Sequence, residues 1–172
     1  MVTRLPDGKS AQPPPAGTAD GPADAYMLCM SHLVCPRCGA TNRLPAERPA
    51  LKARCGQCRQ PLFDGQPAAT TAALFDKHLK NDEIPLLVDA WAAWCGPCRA
   101  IAPQFALAAG RLEPAVRLLK LDTEAEPALA ARYQIRSIPT LLLFQGGRLL
   151  AQQAGAMDAG RIEAWARQQL GR

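Results

Sequence analysis

The chain has 172 residues, 48% of them hydrophobic, so it can bury a core without help from disulfides, as one domain or as one domain with a small module attached. Its formal charge of +5 sits mainly between residues 35 and 66, where six Lys or Arg face two acidic residues. Four thiolates sharing one divalent cation would cancel about half of that excess, so no nucleic-acid partner is expected.

Residues 1–30 are rich in Pro, Gly, Ala and Asp, with "PPP" at 13–15 and almost no large apolar side chain. Such a segment cannot bury enough surface to offset its ordering entropy, and a disordered tail is expected. A translation start at Met27 or Met30 fits equally well, with residues 1–29 then outside the native protein. No apolar run resembles a signal-peptide core or reaches the roughly 18 residues of a membrane span, so a cytoplasmic location without membrane contact is expected. In that compartment thiols stay reduced, and Cys-x-x-Cys reads as a metal site or a redox centre.

Residues 31–66 are expected to form a module too small for a core of its own. Cys35-x2-Cys38-x16-Cys55-x2-Cys58 has zinc-ribbon spacing. Two intervening residues let both sulfurs of a pair reach one tetrahedral ion, and Gly39 and Gly56 suit the tight turns required. Zn2+, one per chain and structural, is the expected ion, although the same thiolates also suit iron. His32 is a weaker alternative ligand, and Cys29 is left over as a free thiol.

From residue 67 to 172 helical and strand patterns alternate. "TTAALFDKHLK" has helical spacing, "PLLVDAWA" suits a buried strand, and "PCRAIAPQFALAAGRL" reads as a helix kinked at Pro103. "AVRLLKLD" is a strand, "EPALAARY" a helix with Pro127 in its first turn, and "PTLLLFQ" a buried strand. Gly146–Gly147 turns the chain into "RLLAQQAG", and "DAGRIEAWARQQL" is a helix capped by Asp158. This order implies an α/β sheet covered on both faces.

Cys95-Gly96-Pro97-Cys98 has no second pair to complete a metal site. A helix beginning at about Cys95 places that sulfur at a helix N-terminus, where partial positive charge favours the thiolate and makes it a nucleophile. Cys98, one turn further in, is suited to resolving a mixed disulfide.

"VDAWAAWCGPC", followed by "KLD", "IRSIPTLLLF" and "QAGA", resembles thioredoxin over roughly residues 68–171, and with the four-cysteine module ahead of it the chain resembles the zinc-containing bacterial thioredoxins. The resemblance implies a thioredoxin fold and a protein-disulfide reductase with no tightly bound organic cofactor. Electrons would come from NADPH through a flavin thioredoxin reductase, and the other partners would be disulfide-containing cytosolic proteins. It implies that Cys95 attacks, Cys98 resolves, Asp89 manages the proton of Cys98, and Lys120 neighbours Asp89. Lys120 also fits a solvated strand-end lysine. Trp94, Gly96, Pro97, Ile138, Pro139 and Gly155 would bind substrate, with a cis Ile138–Pro139 bond, while Trp91 is read as core. Ala90 stands where thioredoxins usually carry Phe, so the local core must be refilled or looser. A monomer suffices. Two further readings stay open: a docking adaptor on an inert scaffold, and a ribbon whose oxidation releases zinc.

Overall fold

The computed structural model describes residues 31–45 and 48–171, so the expected tail and Cys29 lie outside it. β1 (Ser31–Val34) and β2 (Thr41–Leu44) pair antiparallel. The first two cysteine pairs close matching turns. Cys35 N–H donates to the Ala40 carbonyl at 2.8 Å and Gly39 N–H to the Cys35 carbonyl at 2.9 Å, while Cys55 N–H donates to Gln60 at 2.8 Å and Arg59 N–H to Cys55 at 3.0 Å. Each turn places a left-handed residue directly after its second cysteine, Gly39 at φ 72° and Arg59 at φ 64°. Gly56 does not supply this freedom. It sits inside the second turn, where its N–H donates to Asn42 Oδ1 at 2.8 Å.

The larger sheet begins with β3 (Ala68–Thr70), followed by α1 (Ala72–Asn81), β4 (Leu86–Trp91), α2 (Gly96–Leu112), β5 (Arg117–Asp122) and α3 (Pro127–Arg132). β6 (Thr140–Gln145), β7 (Arg148–Ala154) and α4 (Ala159–Gln169) complete it. The strand order is β3-β5-β4-β6-β7, parallel for the first three and antiparallel thereafter. β3 is the element the sequence pattern misses. Its three residues carry no alternation, and it forms because β5 offers an edge to pair with. α2 runs on through Pro103.

Alternation along the strands sorts the core into two layers. Leu87, Leu118, Leu141 and Leu143 pack against α2 and α4 through Ile101, Phe105 and Ile162. Leu86, Val88, Leu119, Leu121 and Phe144 pack on the opposite face with Phe75 of α1 and Leu129 of α3. Ala90 belongs to this second layer. In the same layer Phe75, Tyr133 and Phe144 pack edge to face with centroids 5.1 to 5.8 Å apart, at the Leu86 end of β4, where Phe144 is the register partner.

The N-terminal part has more of a core than expected, because it borrows one. Leu33, Leu44, Leu62 and Phe63 are buried together with Ile84, which lies just ahead of β4. Buried polar groups fasten the same junction. Asp82 accepts from Val34 N–H and from His78 Nδ1, both at 2.5 Å. Arg117, the first residue of β5, donates to the Leu62 carbonyl, stacks over Phe63 at 4.2 Å and lies 3.6 Å from Glu113, whose other oxygen accepts from Gly65 N–H at 2.8 Å. Burial pushes the Glu113 carboxyl up to about 7, against the pull of Gly65 N–H and of Arg117. Arg117→Ala strands that buried carboxylate and is expected to cost about 3–5 kcal/mol of unfolding free energy. Urea unfolding checks this, and Arg117→Met combined with Glu113→Gln should cost clearly less.

Candidate functional site

β4 ends at Trp91, and Cys95 forms the N-cap of α2, its sulfur accepting from Cys98 N–H at 3.2 Å. Pro97 stands in the first helical turn, where its missing N–H costs nothing. Cys95 and Cys98 are joined by a disulfide, so the site is in its oxidised form. Both cysteines are nearly buried, whereas Trp94 beside them is 67% exposed. The Ile138–Pro139 bond is cis, as expected, and the Ile138 carbonyl oxygen lies 3.7 Å from the Cys95 sulfur. Gly155 at φ 103° donates its N–H to the Pro139 carbonyl at 2.9 Å.

An open groove of about 540 Å³ runs beside the dithiol, lined by the Trp94–Pro97 turn and by Ile135–Ile138. Thr123 and Ala130 also line it. Pro139 and Gly155 adjoin the Ile138 segment without lining the groove, and Asp89 and Lys120 do not line it either. Thr123, Ala130, Ile135, Arg136 and Ser137 escape sequence reasoning. The only signal for three of them is adjacency to "IPT".

Asp89 shares the α2 face of the sheet with Leu87, and its register partner Lys120 shares the matching face of β5. Both Asp89 carboxylate oxygens are buried with no hydrogen-bond partner among the described residues. Burial raises its carboxyl to about 6, with the Lys120 ammonium pulling the other way. That ammonium lies 4.2 Å from the centre of the Trp91 ring, so Lys120 is held over an aromatic face, and Trp91 does more than fill the core. A carboxyl that binds its proton more tightly folded than unfolded favours folding most below about pH 4 and loses that advantage as pH rises to about 6. Asp89→Asn is therefore expected to add about 2–3 kcal/mol of stability at pH 7.5 and almost none at pH 3.5. Denaturant melts at the two pH values read the difference.

Cys35, Cys38, Cys55 and Cys58 bring their sulfurs within 4.8 Å of one another, with Cys35–Cys58 and Cys38–Cys55 both at 3.6 Å. A tetrahedral ion with zinc–sulfur bonds of about 2.3 Å separates its ligands by about 3.8 Å, so the four residues fit such an ion. Burial pushes the Cys35 thiol up to about 12, so a thiolate there needs a compensating cation. His32 is not in the cluster; its Nδ1 meets Glu83 Oε1 at 2.8 Å. Cys35 and Cys55 of the cluster pack with Ile84, just ahead of the start of β4, whereas the dithiol follows the other end of that strand. No helix among the described residues is long and apolar enough to cross a membrane.

The family model "Thioredoxin" matches residues 66–168, and the model "Thioredoxin 2, N-terminal", a zinc ribbon, matches residues 34–60. Thioredoxin C-3 of Corynebacterium nephridii is 42% identical over 138 residues, covering 80% of this chain and 94% of the relative. The chloroplastic M-type thioredoxin of Chlamydomonas reinhardtii is 35% identical over 130 residues, covering 76% and 92%. A mutant thioredoxin from Halobacterium salinarum superimposes with a TM-score of 0.56 at 25% identity, covering 62% of this chain and 93% of its own.

Fold and relatives together define the class, that of thiol–disulfide oxidoreductases acting on proteins. The particular family follows from the two matched segments in order along one chain: this protein belongs to the thioredoxins, with the N-terminal zinc ribbon of thioredoxin 2.

Proposed function

We propose that the chain is a cytosolic protein-disulfide reductase built from a zinc-ribbon module at 31–66 and a thioredoxin domain at 67–172, with Cys95 and Cys98 as the working dithiol. The observation that carries this reading is Cys95 at the N-cap of α2, accepting from Cys98 N–H and in contact with the Ile138 carbonyl, both residues lining an open groove. The helix N-terminus and that N–H stabilise negative charge on sulfur.

In the reduced protein the Cys95 thiolate attacks a substrate disulfide. A Cys95–substrate bond forms, and the first substrate sulfur leaves as a thiolate that takes up a proton. Cys98 then gives its proton to Asp89 and attacks the Cys95 sulfur. The Cys95–Cys98 disulfide forms and the second substrate sulfur leaves, so two electrons have passed to substrate. A buried carboxyl with an affinity near neutral pH suits that proton transfer, and Lys120 keeps it ionisable. Trp94, Gly96, Pro97, Ile138, Pro139 and Gly155 shape the surface that receives the extended substrate. A flavin thioredoxin reductase, drawing on NADPH, returns two electrons to the disulfide.

Zn2+ would be held by Cys35, Cys38, Cys55 and Cys58 and would supply a cross-link for the ribbon. All four positions are taken by protein sulfur, which leaves none for substrate. Oxidation of these thiolates, with loss of the ion, is a second role that the same cluster supports.

The test is a coupled assay of NADPH, thioredoxin reductase, this protein and a model protein disulfide. NADPH oxidation that requires all components is the expected result. A rate unchanged when this protein is omitted would remove the reductase reading.

A further inference from the structure

We propose that the groove beside Cys95 selects disulfides flanked by acidic side chains, with Arg136 as the residue that sets this preference. The inference rests on the reductase reading above and adds a substrate class to it.

Arg136 is the sole charged residue lining the groove, and no acidic residue lines it. It is exposed and makes no ion pair with the described residues, unlike Arg37, Arg111, Arg117, Arg132 and Arg167. The backbone presents it deliberately. Gln134 adopts φ 51° after α3, and Ile135 N–H donates back to the Ala130 carbonyl at 2.9 Å, so the chain turns sharply and delivers Ile135 and Arg136 to the groove. Ser137, also exposed and lining, adds a hydroxyl donor next to the guanidinium. Arg99, in the first turns of α2, does not line the groove and spends its Nη1 on the Ala93 carbonyl at 3.1 Å.

The acidic residues nearest in sequence to the lining belong to the turn between β5 and α3. Asp122 spends its Oδ1 on the N–H groups of Glu124 and Ala125, at 2.9 and 3.3 Å, and Glu124 and Glu126 do not line the groove. An incoming polypeptide therefore meets apolar surface from Trp94, Pro97, Ile135 and Ile138, and one unpaired guanidinium. A planar guanidinium takes a carboxylate in a two-pronged hydrogen bond that no neutral side chain matches. It also offsets repulsion between a substrate carboxylate and the Cys95 thiolate.

The experiment uses the full-length, metal-loaded, pre-reduced protein and three disulfide-linked peptides that differ only in carrying Glu, Gln or Lys beside both cysteines. Single-turnover rates at low ionic strength are expected to fall in the order Glu, Gln, Lys, by about two- to five-fold per step, the size of an exposed ion pair. About 0.5 M salt should compress the series. Arg136→Gln should flatten it, and Arg136→Glu should reverse it, with the Lys peptide then reduced fastest. Turnover by the wild type without charge preference would overturn the inference alone. The same preference surviving in Arg136→Glu would also overturn it. Wild-type protein that reduces none of the three would sink the reductase reading and this inference with it.

Discussion

Cys95→Ser is expected to lower protein-disulfide reduction at least about a thousand-fold, because a hydroxyl at the α2 N-cap cannot supply the anionic nucleophile that a thiolate does. Cys98→Ser should fail differently. Its Cys95 still attacks, but the mixed disulfide has no neighbouring sulfur to displace the substrate and accumulates as a covalent complex. Non-reducing electrophoresis followed by mass spectrometry distinguishes the two variants: a trapped adduct at Cys95 in Cys98→Ser, none in Cys95→Ser. The asymmetry follows from position alone, with Cys95 facing the groove and Cys98 in the first turn of α2 beneath it. Adducts in equal amount from both variants would contradict it.

The second large effect concerns the metal. Four thiolates around one Zn2+ supply roughly 10–16 kcal/mol of apparent binding free energy, against a local core of a few side chains that is completed by Ile84. Stripping the ion with a chelator is expected to open residues 31–66 while β4, β5 and β6 keep their hydrogen bonds. Hydrogen exchange reads this directly. The amides of Cys35 and Cys55, bonded to Ala40 and Gln60, should lose protection by about a thousand-fold or more, and those of Val88 and Leu142 far less. Unchanged protection at Cys35 and Cys55 would mean that packing, not metal, holds the module. Arg117 and Asp82 explain why the effect should reach the junction, since their partners, the Leu62 carbonyl and the Val34 N–H, lie in the part that opens.

Local chemistry was legible in the sequence. The Gly146–Gly147 turn, the Asp158 cap accepting from Arg161 N–H, and Pro127 at the start of α3 all depend on residues within a few positions of one another. The clustering of Cys35, Cys38, Cys55 and Cys58 is also legible, because the spacing of each pair limits what its sulfurs can do. The cis bond before Pro139 was reached through resemblance; base rates point the other way. What stayed hidden depends on partners distant in the chain. β3 exists only through β5. Arg117 reads as one more basic residue at a strand end until Leu62 and Phe63 are brought to it. His78 meets Asp82 one turn on, but the Val34 N–H that shares this carboxylate and accounts for its burial lies 48 residues away. Ala90 is fully buried between Leu121 of β5 and Thr140 of β6, neighbours that only the strand register brings to it.

On the proposed reading the three Cys-x-x-Cys pairs divide between two chemistries, the first two for metal and the third for electrons. Differential alkylation followed by peptide mass spectrometry tests it in one measurement, on metal-loaded protein freshly reduced by NADPH and thioredoxin reductase. Rapid labelling at Cys95, with Cys35, Cys38, Cys55 and Cys58 protected until a chelator is added, is the predicted result. Labelling of the four ribbon cysteines as fast as Cys95, or a Cys95 that stays inert under those conditions, would contradict the account.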